Sequence, residues 1–346
     1  MTRLGTGGPW LATTPEQAKH VLMDTAGFDF PTNVARGTDM SASSAESRTG
    51  HHVYAPLTPP QVERALAVFD REWGEALATL PITDDSVRFE AMHLLRRPVA
   101  RATCAAVLED LDLVTRNEIA DLVLAWIDAL APVIASRRAP GRWSRRRRAE
   151  HRARLALNER LSAALASHDV RETAPVVATM LAAGIQVPIA AGAWLLVFLA
   201  AQPAGSFNAD HVVWETLRLA PPTWITARVS TARVEMAEEV VAAGELVMIS
   251  PLLLGRLPHL APSDPADLAT FCPDRWRRDD IRPGAWLPFG AGPHACPGRN
   301  LGLGLLRDLV GWANGQELTL AMPVNIDQSR GILPSPALIT CSAPTQ

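Results

Sequence analysis

Residues 287–302, LPFGAGPHACPGRNLG, hold one cysteine (Cys296) and one histidine (His294) among four glycines and three prolines. That composition disfavours regular structure, yet a leucine-rich helical pattern follows at once. A thiolate becomes a strong ligand when amides, a positive group or a metal stabilise its charge. Gly290, Gly292 and Gly298 let backbone amides converge, because glycine tolerates unusual dihedrals and close approach. A helix starting near Gly298 or Arg299 would turn its positive end toward the sulfur. The loop suits an anionic sulfur; a tight turn around a buried cysteine is the plain alternative.

Two more groups stand apart in the sequence. Glu215 and Arg218, in WETLRLAPP, lie three residues apart on one helical face, where they can pair. Such pairs are common and carry no function singly. FCPDRW (271–276) then sets Arg275 between a proline turn and a tryptophan, ready to complete a Glu–Arg–Arg cluster.

The elements that must position these residues read as mainly helical. WLATTPEQAKHVLMD (10–24) predicts a short strand, then a helix capped by Thr14 with Pro15 at its first position. Residues 31–58 are polar, small and aperiodic, a loop of uncommon length. From Pro59 to about Leu165 apolar residues recur at helical spacing, as in 59–80 and 116–135. From Ala174 to Ala209 no residue is charged, and the run is long enough to span a bilayer. Gln186 and Pro188 interrupt it and flanking anchors are missing, so it reads as a helix buried in a soluble protein. ADHVVWETLRLAPPTW is a further helix ended by paired prolines, and ARVEMAEEVVAAGELVMIS alternates like hairpin strands turning at Gly244. No repeat or composition break divides the chain. The expectation is one domain over 1–346, mainly α with a minor β portion.

Bulk properties exclude several classes. With 346 residues, 48% of them hydrophobic, the chain can bury a sizeable core. A net charge of −3 gives no case for nucleic acid or an acidic membrane surface. The four cysteines form no CxxC pair and suit neither a disulfide framework nor a zinc site, which points to a reducing cytoplasm. The N-terminus lacks the continuous apolar core of a signal peptide. Nine arginines fall between Arg137 and Arg154. They read as a solvated interhelical loop and helix face, or as a docking surface for an acidic partner protein or an anionic substrate.

Taken together, these residues resemble the cytochrome P450 haem-thiolate enzymes. The loop Phe-Gly-x-Gly-x-His-x-Cys-x-Gly is matched by Phe289, Gly290, Gly292, His294, Cys296 and Gly298, with Leu301 following; Glu-x-x-Arg is Glu215 and Arg218, and Arg275 is its partner. The resemblance implies a P450-like fold holding haem b, with Cys296 as the axial thiolate of iron that favours O–O cleavage. It implies that His294 and Arg228 bind haem propionates, and that Phe289, Gly290 and Gly298 belong to the cofactor site. For the histidine-and-arginine helix upstream, ESRTGHHVYAPLTP offers Arg48, His51 or His52, and the sequence does not choose.

The pattern also breaks. The family's first helix is missing from the opening residues, and AAQPAGSFNADHVV is too short for the helix usually found before Glu-x-x-Arg, on the side where electron donors dock. The family motif Ala-Gly-x-acid-Thr here reads Ala183, Gly184, Ile185, Gln186, Val187, followed by Pro188. In ordinary members the acid–alcohol pair delivers protons during oxygen activation. Gln186 can donate a hydrogen bond but cannot titrate, and Val187 can do neither. Gly184, Gln186 and Val187 are thus the catalytic candidates with the least usual chemistry. Pro188 removes a helical donor and crowds the carbonyl of Gly184. A bend fixed covalently is expected; the alternative is that Pro188 is merely tolerated and Gln186 faces another helix.

The resemblance implies a monooxygenase acting on a small organic molecule in specialised metabolism, fed by ferredoxin and ferredoxin reductase. A second version uses peroxide, or rearranges an activated substrate, and needs no proton relay. A third is a non-catalytic haem protein that binds a ligand or a partner.

Overall fold

Helices form where apolar spacing and capping residues coincide. The computed structural model of the protein describes residues 1–31, 53–83, 86–136, 138, 140–141, 143–166, 173–236, 239–261, 267–327 and 332–342. They group into two compact units: one from the described residues of 1–31, 53–56 and 207–299, the other from those of 57–206 and 300–342.

The first unit carries helices Pro15–Met23 and Ala209–Leu219. Thr14 caps the former as expected, its hydroxyl accepting from the Gln17 amide at 3.3 Å. Asn208 caps the latter in the same way at 3.1 Å, and the helix stops just before Pro221 and Pro222. A five-stranded sheet runs in the spatial order Thr2–Arg3, Trp10–Leu11, Leu246–Ile249, Thr226–Ser230, Phe28–Asp29. The expected hairpin around Gly244 is split. Val234–Met236 pairs with Glu239–Val241, whereas the strand beyond Gly244 (φ +82°) pairs with Thr226–Ser230.

The second unit is built on Pro59–Ala78, Ala91–Val107, Leu113–Ile134, Arg145–Leu165, Ala174–Ala200 and, from Asn300, the helix Arg299–Ala313. Inside the stretch expected to be wholly helical, Ser86–Glu90 is a strand. Its alternation, with Val87 and Phe89 buried, is only five residues long. Its main partner, Leu338–Ser342, lies at the far end of the chain, where no local signal reaches. The Ala174–Ala200 helix is 27 residues long and apolar enough to cross a membrane by length and composition. Its C-terminal half packs inward: from Ile189 to Ala200 all but Phe198 are buried, and Trp194 Nε1 donates to the Ile332 carbonyl at 2.5 Å. The helix stays helical through Pro188.

Candidate active site

Glu215 anchors the first unit's interior. Its carboxylate accepts from Arg218 Nε and Nη2 at 2.8 and 2.7 Å, from Trp276 Nε1 at 3.0 Å, from the Cys272 amide at 2.9 Å and from Arg275 Nε at 3.4 Å. The side chains of Glu215, Arg218 and Arg275 are 0% exposed. Arg218 also donates to the carbonyls of Gly255, Leu268 and Thr270, so its remaining hydrogens are satisfied. The expected Glu–Arg–Arg cluster is therefore formed. Trp276 and the Cys272 amide join it from the same FCPDRW segment.

This cluster reaches the cysteine loop through aromatic rings. Trp286 is fully buried and donates to the Leu217 carbonyl at 3.0 Å, which ties the start of the loop to the Glu215 helix. Trp214 meets Trp286 edge-on at 6.0 Å and Phe289 at 6.4 Å. The loop then folds back, the Cys296 amide donating to the Phe289 carbonyl at 2.9 Å. Gly290 (φ +69°) and Gly292 (φ +72°) supply the left-handed turns, and a Cβ at Gly292 would lie 2.8 Å from the Leu22 carbonyl oxygen. Leu287 takes φ +58° without being glycine, a strained position of the kind that accumulates at functional loops. Gly298 differs from the expectation: its φ is not positive, and a Cβ there would meet nothing within 4 Å. Its place in the loop is beside open space.

Cys296 is exposed as a residue, yet neighbouring protein atoms crowd its sulfur enough to push the thiol above its ordinary value. Desolvation is the larger cause; a hydrogen bond from the Gly298 amide and the charge of Arg299 pull the other way. The loop alone does not preset a thiolate. It offers a sulfur on an exposed residue, with an amide donor and a cation at hand.

Arg228 is a buried cation in the same unit. It is 6% exposed, and its guanidinium lies 3.9 Å from the centroid of Phe30. Nη1 donates to the Ala227 carbonyl at 2.9 Å, and among the described residues no carboxylate stands within ion-pair distance. Burial holds its pKa below the ordinary arginine range, with Asp29 opposing from further away. His294 meets the same Phe30 ring edge-on at 4.9 Å. Phe30 thus joins the two side chains that the resemblance assigns to the propionates, a role its own sequence position did not reveal. A buried cation without a carboxylate at ion-pair distance, a sulfur on an exposed residue and open space at Gly298 fit a haem.

Gly184, Gln186 and Val187 belong to the second unit. Val187 is exposed, as is Ala183 one turn earlier, while Gly184 and Gln186 are half-buried. The Gly184 carbonyl, deprived of a donor by Pro188, accepts from Thr103 Oγ1 at 3.1 Å. Arg48, His51 and His52 lie outside the described residues. In the arginine-rich segment, Arg145 begins a helix capped by Ser144, and an open cavity of about 580 Å³ is lined by Ser136, Arg138, Pro140, Ser144, Arg145 and Arg146.

Comparison with known proteins agrees with this geometry. The cytochrome P450 family model matches residues 209–306, the segment that carries Glu215, Arg228, Arg275 and the cysteine loop. A stretch of 95 residues is 41% identical to cyclooctat-9-en-7-ol 5-monooxygenase of Streptomyces melanosporofaciens. A stretch of 93 residues is 40% identical to a sterol 14alpha-demethylase of Mycolicibacterium vanbaalenii. These stretches cover 27% and 26% of this chain, and the chain spans only 20% of each relative's length. The fold as a whole is similar to a 6-coordinated cytochrome P450 from Thermus thermophilus, with a TM-score of 0.67 and 19% identity over 96% of this chain and 91% of that one. It is also similar to CYP175A1 from another strain of the same species, with a TM-score of 0.69 and 22% identity over 94% and 87%. Residues 209–306 thus match the cytochrome P450 family model, and the fold of the described chain is that of the cytochrome P450 structures.

Proposed function

We propose that the protein is a haem-thiolate oxidoreductase of the monooxygenase type, acting on a small organic molecule in bacterial specialised metabolism, with residues 1–346 working as a single haem domain in the cytoplasm. The observation that carries this reading is the pairing, within one unit, of Cys296, an exposed residue beside the Gly298 amide, with the buried Arg228, which has no carboxylate at ion-pair distance among the described residues.

Haem b, when bound, supplies the one-electron and oxygen chemistry that amino-acid side chains lack. Cys296 would hold the iron through its sulfur, and Arg228 and His294, which both meet the Phe30 ring, would bind the propionates. Phe289 and Gly290 shape the turn beneath the sulfur. Because desolvation raises the Cys296 thiol, its deprotonation is coupled to metal binding, where a coordinating thiol loses its proton.

Gln186 and Val187 set the proton problem. Neither can titrate, so protons reach the site through ordered water, the Gln186 amide or a hydroxyl of the substrate. That same pair favours a second reading, in which peroxide is the oxidant or an activated substrate is rearranged without net oxidation. Ferredoxin and its reductase are the electron donors in the first reading. The arginines of 137–154 would dock an acidic partner. Turnover with NADPH, ferredoxin and ferredoxin reductase, set beside turnover with hydrogen peroxide alone, separates the cases. Product in the first mixture supports the monooxygenase, and product with peroxide only supports the second reading. Measurable ligand affinity with no product in either would make this a haem-binding protein without catalysis.

A further inference from the structure

We propose that Thr103 is a positioning residue for Gln186, the second unit's candidate for handling protons: its hydroxyl, from the 91–107 helix, replaces the donor that Pro188 withholds and fixes the turn of the 174–200 helix that carries Gln186. The inference rests on the haem-enzyme reading above. In a regular α-helix the carbonyl of residue 184 would accept from the amide of residue 188. Pro188 has no such hydrogen, and a buried carbonyl left unpaired is costly. No side chain at the family's alcohol position can repair this, because Val187 has neither donor nor acceptor.

Thr103 repairs it from outside the helix. It is 3% exposed, and its Oγ1 donates to the Gly184 carbonyl at 3.1 Å. The rest of the side chain faces the same residue: a Cβ at position 184 would lie 3.0 Å from Thr103 Cγ2. One β-branched side chain, stiff about χ1, therefore binds the carbonyl with its hydroxyl and crowds the space a Cβ at 184 would enter with its methyl. Gly184 and Thr103 are 81 positions apart and form one device. It locks the peptide two residues before Gln186, so the direction of the Gln186 amide depends on a hydroxyl borrowed from another helix.

Four variants test this: Thr103→Val, Thr103→Ser, Gly184→Ala and the double variant Thr103→Ser with Gly184→Ala. Amide hydrogen exchange over residues 181–192 is the readout that needs no turnover, with the 209–219 helix as internal control. Thr103→Val should speed exchange in 181–192 by about tenfold, the signature of a lost local bond, and leave the control unchanged. Thr103→Ser, which keeps the hydroxyl, should stay within about twofold of wild type. Gly184→Ala should speed exchange alone and be relieved by the added Thr103→Ser, which removes the opposing methyl.

In the haem-loaded enzyme, product formed per oxidant consumed should fall about tenfold or more in Thr103→Val, with KM little changed, and recover in Thr103→Ser. Unchanged exchange in Thr103→Val, or a Gly184→Ala effect indifferent to Thr103→Ser, would overturn the proposed device. Faster exchange with undiminished product yield would overturn the positioning role and leave a packing contact only. A wild-type protein that takes up no haem would refute the functional reading, and the positioning role with it; that failure shows in the wild-type spectrum before any variant is made.

Discussion

Replacing Glu215 by glutamine keeps the side chain's shape and removes its charge. The carboxylate takes five donated hydrogen bonds, from Arg218 twice, Trp276, the Cys272 amide and Arg275, and both arginines have no exposed side-chain surface. An amide offers one acceptor oxygen and turns two hydrogens toward donors. Removing one partner from a buried ion pair costs about 3–5 kcal/mol, mostly because the other charge is stranded. Arg218 keeps three backbone carbonyls as acceptors, which favours the lower end, about 3 kcal/mol. Against a total stability of about 5–15 kcal/mol this is a large loss. Urea unfolding followed by tryptophan fluorescence measures it directly. Glu63→Gln, at an exposed position on the 59–78 helix, should change stability by no more than about 0.5 kcal/mol. A Glu215→Gln loss below about 1 kcal/mol would refute the reasoning, for it would mean the cluster is not the first unit's electrostatic anchor.

Other consequences can be checked alongside. Gly292→Ala should destabilise by about 1–3 kcal/mol, because φ is +72° and the new Cβ would meet the Leu22 carbonyl at 2.8 Å. Gly298→Ala, beside open space, should leave haem-free stability within about 0.5 kcal/mol while weakening haem retention, read by competition with apomyoglobin. Arg228→Leu should leave the haem-free protein at least as stable as wild type, since a buried cation without a carboxylate is removed, and should weaken haem retention in the same assay. Asp308 has its carboxyl pushed up to about 6, first by partial burial and then by Asp70, with Arg307 opposing. A raised acid favours the folded state below its unfolded value and loses that contribution as pH rises through the folded one. Wild type should therefore lose stability relative to Asp308→Asn between about pH 4 and 6, and equal slopes in urea midpoints across that window would contradict this.

What the sequence disclosed was local chemistry. The left-handed turns at Gly290 and Gly292, the Glu215–Arg218 pair and the Thr14 cap each act over a few residues and are found where the pattern placed them. What it withheld depends on the return of distant chain. Ser86–Glu90 is a strand because Leu338–Ser342 pairs with it. Phe30 matters because the first unit's sheet brings Phe28–Asp29 beside Thr226–Ser230, so that Arg228 and His294 share its ring. The missing backbone donor at Pro188 was visible, but the hydroxyl that replaces it, on Thr103, sits on another helix with no motif to mark it. Of the two reasons for glycine at 298, unusual dihedrals do not apply, and room for close approach remains, since a Cβ there would meet nothing within 4 Å.

The central claim is that Cys296 ligates haem iron, and the absorption spectrum of the reduced protein under carbon monoxide tests it most directly. The account predicts a strongly red-shifted Soret band in the wild type that disappears in Cys296→Ala. A protein that binds no haem, a band at the position of a neutral-ligand haem, or a shifted band that survives Cys296→Ala would contradict it.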